Sequence, residues 1–347
     1  MNLALSFLSE NWQKLGLKHL ESPQHLSSVV ITPRFQASSH VVFILLHKER
    51  SEPVLVTKVN RLPGESESLE HENANLVRIQ SSRPGGFDSI PRSVAFERYC
   101  NHQLLVQTAL VGRQMDPATV RRDLAGCVSS VVDWLVDVYE ATAVSNAADP
   151  DWFERLVQSP VRCFQQIVAL NDDEIHLIQR TEELLSSLRN ANLPLGFEHG
   201  DLSHPNVMWL RAGGAGVVDW EQADPHGLPI CDLFFFLAYA GFALHRSREK
   251  ENHLAAIQEA FFHRDCWARS YVMEYAERFQ LPGSMLASLF VLCWFRFLVG
   301  QLTRLSGTAN SQRRIGADSI EWLRKNRYYQ IWRHAVTHVD DLRWMSG

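Results

Sequence analysis

The densest group of chemistry-bearing side chains is His199-Gly200-Asp201-Leu202-Ser203-His204-Pro205-Asn206, followed 13 residues after Asn206 by Asp219-Trp220-Glu221. Phosphoryl transfer asks a protein for little covalent work. It needs a carboxylate to orient and deprotonate the acceptor hydroxyl, and oxygen ligands to hold Mg2+ on the nucleotide phosphates. The pattern H-x-D-x-x-x-x-N followed by an aspartate supplies both. A loop carrying Asp201 and Asn206, folded over a strand that presents Asp219, gathers three oxygen-bearing side chains around hard cations. Outside that chemistry, Asp201 and Asp219 read as turn or cap residues.

A second signal lies upstream. Lys58 sits inside the apolar strand Val54-Leu55-Val56-Thr57-Lys58-Val59, where a charge is costly unless it has a partner, and a phosphate is one such partner. Glu70 and Glu72 follow in a helix-like segment, Ser66–Gln80, in which Leu69, Leu76 and Ile79 recur at near-helical spacing. A strand lysine paired with a helix glutamate is how kinases place the α- and β-phosphates.

The elements that must position these residues follow from patterning. Runs rich in Val, Ile, Leu and Phe at Ser28–Phe35, Val41–His47, Pro53–Asn60, Val94–Cys100 and Gln103–Leu110 predict strands. With the helix between the third and fourth, the order is β-β-β-α-β-β. At Asp116-Pro117 the character changes to a cap and first-turn proline, after which Val120, Leu124, Cys127, Val131, Trp134 and Val138 recur at helical spacing. Helices are expected from there on, with a break or kink at Pro160 and a polar loop at Ser306–Arg313. The exception is a small hairpin, Asn206–Leu210 and Gly216–Asp219, around the turn Arg211–Ala215.

Taken in order, His199-Gly200-Asp201 with Asn206, then Val217-Val218-Asp219-Trp220-Glu221, then Gly227-Leu228-Pro229-Ile230-Cys231-Asp232-Leu233 resemble the aminoglycoside phosphotransferase and choline kinase family of small-molecule kinases. The resemblance covers most of the chain. It implies an α+β, two-lobed, protein-kinase-like fold. A small antiparallel-sheet N-lobe with one helix (residues 1–109) precedes a larger, mainly helical C-lobe (residues 110–347). It further implies Asp201 as catalytic base, Asn206 and Asp219 as Mg2+ ligands, Glu221 behind a second metal through water, and Asp232 as the structural aspartate that steadies the catalytic loop. His199 is expected to brace that loop as a packed, hydrogen-bonding residue. Glu72 is preferred to Glu70 because the family places a leucine four residues after its glutamate, here Leu76. Leu104–Gly112 resemble the strand and hinge between lobes, so the backbone of Gln107, Thr108 and Ala109 is expected to hold the base of ATP or GTP. The turn between the first two strands, Phe35-Gln36-Ala37-Ser38-Ser39-His40, carries no glycine; Ser38 and Ser39 stand as phosphate-loop candidates, with a plain hairpin turn as the other reading.

Composition excludes other classes. The chain has 347 residues, is 46% hydrophobic and 21% charged, and carries a net charge of -5, as a globular protein does. A pI near 6.3 argues against nucleic-acid binding. Six scattered cysteines form no C-x-x-C pair, and a cytoplasmic setting is expected. The start of the chain lacks the basic and small-residue pattern of a signal peptide. The apolar runs Ile230–Leu244 and Met285–Gly300 contain Asp232 and Arg296, fall short of a bilayer span, and are expected to be core helices. A peptide acceptor is disfavoured, because Asp232 comes only 13 positions after Asp219 and neither D-F-G nor A-P-E occurs.

The acceptor is therefore expected to be a small-molecule hydroxyl. Residues 116–240 hold 7 basic and 19 acidic residues, whereas residues 241–347 hold 15 and 10. With Asp340-Asp341 the sole late acidic pair, a metabolic or cell-envelope sugar or amino alcohol is favoured over a polycationic aminoglycoside. Choline-type recognition would need an aromatic cage, for which Trp220, Tyr239, Phe242, Trp294 and Phe295 are candidates. An antibiotic kinase and a catalytically silent, nucleotide-binding kinase-like module are the alternatives. Oligomeric state is open.

Overall fold

The computed structural model describes residues 2–20, 22–32, 40–49, 52–246, 252–306 and 316–346. The chain divides into two compact units, the first made of residues 1–115, 199–201 and 205–225, the second of residues 116–198, 202–204 and 226–347.

The first unit is built on a five-stranded antiparallel sheet. Its strands β1 (Leu26–Ile31), β2 (His40–His47), β3 (Pro53–Asn60), β4 (Ser93–Tyr99) and β5 (His102–Thr108) lie in the order β1-β2-β3-β5-β4. The strand pattern follows from side-chain alternation: Leu55 and Val59 of β3 and Leu104 and Val106 of β5 face a core completed by Ala4, Phe7 and Leu8 of helix α1 (Leu3–Asn11). Helix α2 (Glu67–Gln80) starts at Ser66, whose side chain accepts from Leu69 N, and buries Leu69, Leu76 and Ile79 completely. The predicted β-β-β-α-β-β order is thus present, with β3 at its predicted bounds. A second sheet of three short strands pairs the hairpin Val207–Leu210 and Ala215–Val217 with β6 (Gly112–Gln114). β6 has no counterpart in the sequence reading, because three exposed residues offer no alternation to detect.

The second unit is mostly helical: α3 (Pro117–Arg122), α4 (Leu124–Thr142), α5 (Ser159–Ile167), α6 (Asp172–Ser186), α7 (Pro229–Leu244), α8 (His253–Phe261), α9 (Arg269–Arg278), α10 (Gly283–Ser306), α11 (Ala317–Lys325) and α12 (Arg327–Thr337). The expected single helix after Asp116 is two. Asp123 leaves helical geometry at φ -146°, ψ 73° and its side chain caps α4 at Gly126 N, a break that the continuous apolar period conceals. Pro160 falls in the first turn of α5, preceded by a π-helical turn at Glu154–Gln158. The polar loop expected at Ser306–Arg313 lies almost wholly outside the described residues.

Among the described residues one helical stretch, Gly283–Arg304, is long and apolar enough to cross a membrane by length and composition. It exceeds the 16-residue run seen in the sequence because the helix continues to Ser306. Leu289, Phe290, Leu292, Cys293, Trp294 and Phe295 are fully buried, which is the burial of a core helix. Its one mid-helix charge is matched: Arg296 Nη1 donates to Glu198 Oε1 and Oε2 at 3.0 and 2.8 Å, and Glu198 Oε2 also accepts from Leu228 N at 2.7 Å. This pair, its carboxylate buried, ties the end of the strand Pro194–Glu198, one residue before His199, to the start of α7 and to α10.

Candidate active site

The residues singled out for chemistry converge inside the first unit. Lys58 on β3 donates to both carboxylate oxygens of Glu72 on α2 at 2.7 Å and to Asp219 Oδ1 at 2.6 Å. Lys58 is 5% exposed and Glu72 fully buried, so this is a desolvated ion-pair cluster. Glu72, not Glu70, faces the lysine. Burial works against the Lys58 ammonium, but the two carboxylates outweigh it and raise its pKa above the usual lysine value. Burial pushes the Glu72 carboxyl up despite the lysine, and it pushes Asp219 up as well. For Asp219, however, Lys58 prevails and holds the carboxyl below the usual range.

Asp219 follows the strand Ala215–Val217 and adopts a left-handed backbone, φ 72° and ψ 65°, which Asp tolerates better than most residues. The turn after it is fastened to α2 by contacts the sequence did not reveal. Asn75 Nδ2 donates to the carbonyls of Trp220 and Ala223 at 3.1 and 3.0 Å, and His71 Nδ1 lies 2.8 Å from the Glu221 carbonyl. His71 and Asn75 share a helix face one turn apart with Glu72 between them, and that spacing was the one available signal.

The loop bearing Asp201 is braced from within. His199 Nε2 donates to Val218 O at 3.0 Å while its Nδ1 accepts from Asp201 N at 3.3 Å, which fixes the tautomer. Burial lowers the His199 pKa to about 4, so it is an uncharged brace that also packs edge-on against Trp220. Asn206 Nδ2 donates to Asp201 O at 2.9 Å and Asp201 Oδ2 at 3.1 Å, so the expected base and the expected metal ligand touch. Asn206 O accepts from Val218 N at 3.0 Å, joining this loop to the Asp219 strand.

Gly200 has two reasons to be glycine: φ is 76°, and a Cβ there would lie 2.4 Å from Gln222 O. Gly200→Ala is expected to cost about 1 to 3 kcal/mol. A thermal or urea unfolding curve indistinguishable from wild type would refute this account of the loop.

The remaining candidates are less gathered. Gln107 is buried at the end of β5. Thr108 N donates to Arg92 O at 2.9 Å and Ala109 N to Val54 O at 3.2 Å, so both of these N–H groups serve the sheet edge. Ser38 and Ser39 lie outside the described residues. Asp232 is buried in the first turn of α7. Of the candidate cage residues, Trp220, Trp294 and Phe295 are at most 1% exposed and belong to the core.

As metal ligands the set fits Mg2+ in its chemistry. Oxygen atoms of Asp219 and Glu221 lie within 4.8 Å of each other, and Asn206, with its Nδ2 on Asp201, offers an amide oxygen.

Comparison with known proteins places the fold and the family. The model of the phosphotransferase enzyme family (APH) matches residues 33–274. No curated protein matches in a direct sequence search. Among solved structures, the chain is similar to an ethanolamine kinase of Plasmodium vivax (10% identity, 91% of this chain and 82% of that one covered, TM-score 0.54). It is also similar to a thermostable mutant of aminoglycoside phosphotransferase APH(4)-Ia in complex with AMP-PNP and hygromycin B (13%, 88% and 93%, TM-score 0.50). A third is wild-type aminoglycoside 2'-phosphotransferase-IIIa in complex with GDP (9%, 95% and 98%, TM-score 0.50). The fold is the protein-kinase-like one expected from the sequence. With 242 of its 347 residues inside the family match, the chain belongs to the phosphotransferase enzyme family.

Proposed function

We propose that the protein is a small-molecule kinase that moves the γ-phosphoryl group of ATP or GTP to a hydroxyl of a small acceptor, with Asp201 as base and Mg2+ on the nucleotide. The observation that carries this reading is the buried Lys58 held by Glu72 and Asp219 together. A structural ion pair needs one carboxylate. A lysine shared between a helix glutamate and an aspartate at a strand end is the arrangement that aims an ammonium at phosphates.

In the reaction the acceptor oxygen attacks the γ-phosphorus and its proton passes to an Asp201 carboxylate oxygen. The bond from the γ-phosphorus to its bridging oxygen breaks, and the nucleoside diphosphate leaves. Asn206 orients Asp201 through Oδ2. Lys58 turns from Asp219 to the phosphates while Glu72 retains it. By resemblance, the backbone of Gln107, Thr108 and Ala109 would line the base, and Ser38 and Ser39 remain the phosphate-loop candidates. Asn206 and Asp219 are the ligands that would hold Mg2+, with Glu221 behind them; the ion supplies charge neutralisation on the phosphates.

The second unit bears on the acceptor class. A largely buried ring box there is filled by the protein's own cation: the Arg327 guanidinium lies 4.9, 5.1 and 5.8 Å from the ring centroids of Tyr328, Tyr239 and Phe242, and its Nη2 donates to both tyrosine hydroxyls. His204, three residues along the chain from Asp201, packs against Tyr239 at 5.9 Å. With a guanidinium inside the box, the rings do not form an empty cage for a quaternary amine, and neutral and anionic hydroxylated metabolites, sugars above all, are favoured.

The test is a turnover screen of the purified protein with Mg2+, ATP or GTP, and a panel of sugars, sugar acids, amino alcohols and aminoglycosides. Acceptor-dependent nucleoside diphosphate release that disappears in Asp201→Ala supports the reading. Metal-dependent nucleotide binding with no turnover on any acceptor would favour a silent nucleotide-binding module.

A further inference from the structure

We infer that His40 is a nitrogen ligand to a divalent cation shared with Asp219 and Glu221, which suits the site to a first-row transition ion such as Mn2+ as well as to Mg2+. The inference rests on the reading of Asp219 as the metal-binding aspartate and adds to it a residue that stands in the sequence only as the end of a turn. His40 opens β2 and pairs across the sheet with Asn60, two residues beyond Lys58, so strand alternation sets it on the Lys58 side of β3. It is 6% exposed, and its Nδ1 has no hydrogen-bond partner. A buried polar nitrogen without a partner is costly, and its position suggests what the partner would be.

That nitrogen lies 3.9 Å from Glu221 Oε2, too far for a hydrogen bond. One ligand atom each from His40, Asp219 and Glu221 lies within 4.8 Å of the other two. Ligands about 2.1 Å from a common ion sit roughly 3 to 4.2 Å apart, so a closure of a few tenths of an ångström completes the set.

Charge selects a cation over an anion. Around His40 the ammonium of Lys58 and the guanidinium of Arg61 face the carboxylates of Glu72, Asp219 and Glu221, which leaves negative charge to be balanced. Donor type then selects among cations. Two carboxylates alone suit Mg2+, whereas an added imidazole shifts preference toward Mn2+ and later first-row ions.

Titration of the full-length protein with Mn2+ in the absence of nucleotide, followed by the EPR signal of the free ion, gives the affinity. Electron spin-echo modulation then reports whether nitrogen is bonded to the manganese. The wild type is expected to show an imidazole nitrogen coupling that His40→Gln removes. His40→Gln should also weaken Mn2+ binding by ~10-fold or more while changing Mg2+ binding, read by competition, far less. Because the coupling is read on the wild type, the test stands even where the variant folds poorly.

Bound Mn2+ without nitrogen coupling, or a coupling that survives in folded His40→Gln, overturns the role of His40. Loss of Mn2+ binding in Asp219→Ala alongside either result would leave the Asp219 reading intact. A wild type that binds no Mn2+ overturns the inference, and if it also fails to bind Mg2+ with nucleotide, the reading of Asp219 falls too.

Discussion

Lys58→Met is expected to destabilise the protein by about 3 to 5 kcal/mol, a large share of the roughly 5 to 15 kcal/mol that holds a typical domain together. The cause is Glu72, which is fully buried with both carboxylate oxygens on the lysine. Without the ammonium, either a bare charge or a protonated acid must stay in the core between β3 and α2. Burial already raises the Glu72 pKa to about 7 with the lysine in place, so proton uptake is the easier course, and it still leaves hydrogen-bonding groups unmatched. Lys58→Met combined with Glu72→Leu removes both charges and should recover most of the lost stability. It should recover none of the turnover, because the phosphate-directed cation is gone. Urea unfolding and steady-state rates on the two variants check this. A single variant as stable as the wild type, or an active double variant, would sink the account of Lys58.

Asp201→Ala is expected to lower kcat by ~10²-fold or more with nucleotide affinity nearly unchanged. The split follows from position: Asp201 lies on the loop between His199 and Asn206, whereas the groups that aim at phosphates, Lys58 and Asp219, come from other strands. Asp201→Asn is the sharper comparison. It keeps the size of the side chain and an oxygen for Asn206 to bond, yet it cannot accept the acceptor's proton, so it should lose as much activity as the alanine. Rates for both variants beside nucleotide binding by fluorescence displacement decide the matter. Full turnover in Asp201→Asn would remove it as the base.

What the sequence disclosed and what it concealed separate along physical lines. Lys58 stood out because a charge inside an apolar strand needs a partner, and Glu72 because the family the chain resembles places a leucine four residues after its glutamate, here Leu76. Asp201, Asn206 and Asp219 were legible as a spaced set of oxygen donors. Asn75 and His71 were not, because they bind backbone carbonyls some 150 positions away that carry no side-chain signature. The Glu198–Arg296 pair was half visible: Arg296 was noticed as a charge in an apolar helix, but nothing in spacing could name a partner 98 residues distant. The break at Asp123 was masked by an apolar period that runs through it, and β6 by its lack of alternation. His40 was seen merely as the end of a glycine-free turn, since its role depends on strand pairing with β3 and on the return of Glu221 from far along the chain.

The central claim is that the γ-phosphoryl group goes to a small molecule, and label transfer tests it most directly. The protein is incubated with Mg2+, γ-labelled ATP or GTP, and a protein-free extract of small metabolites, with Asp201→Ala in parallel, and the labelled products are separated by mass. The account predicts a labelled phosphomonoester of a low-molecular-weight hydroxyl compound that forms with the wild type and not with Asp201→Ala. Label confined to inorganic phosphate or to the protein itself, or equal labelling by the variant, would contradict it.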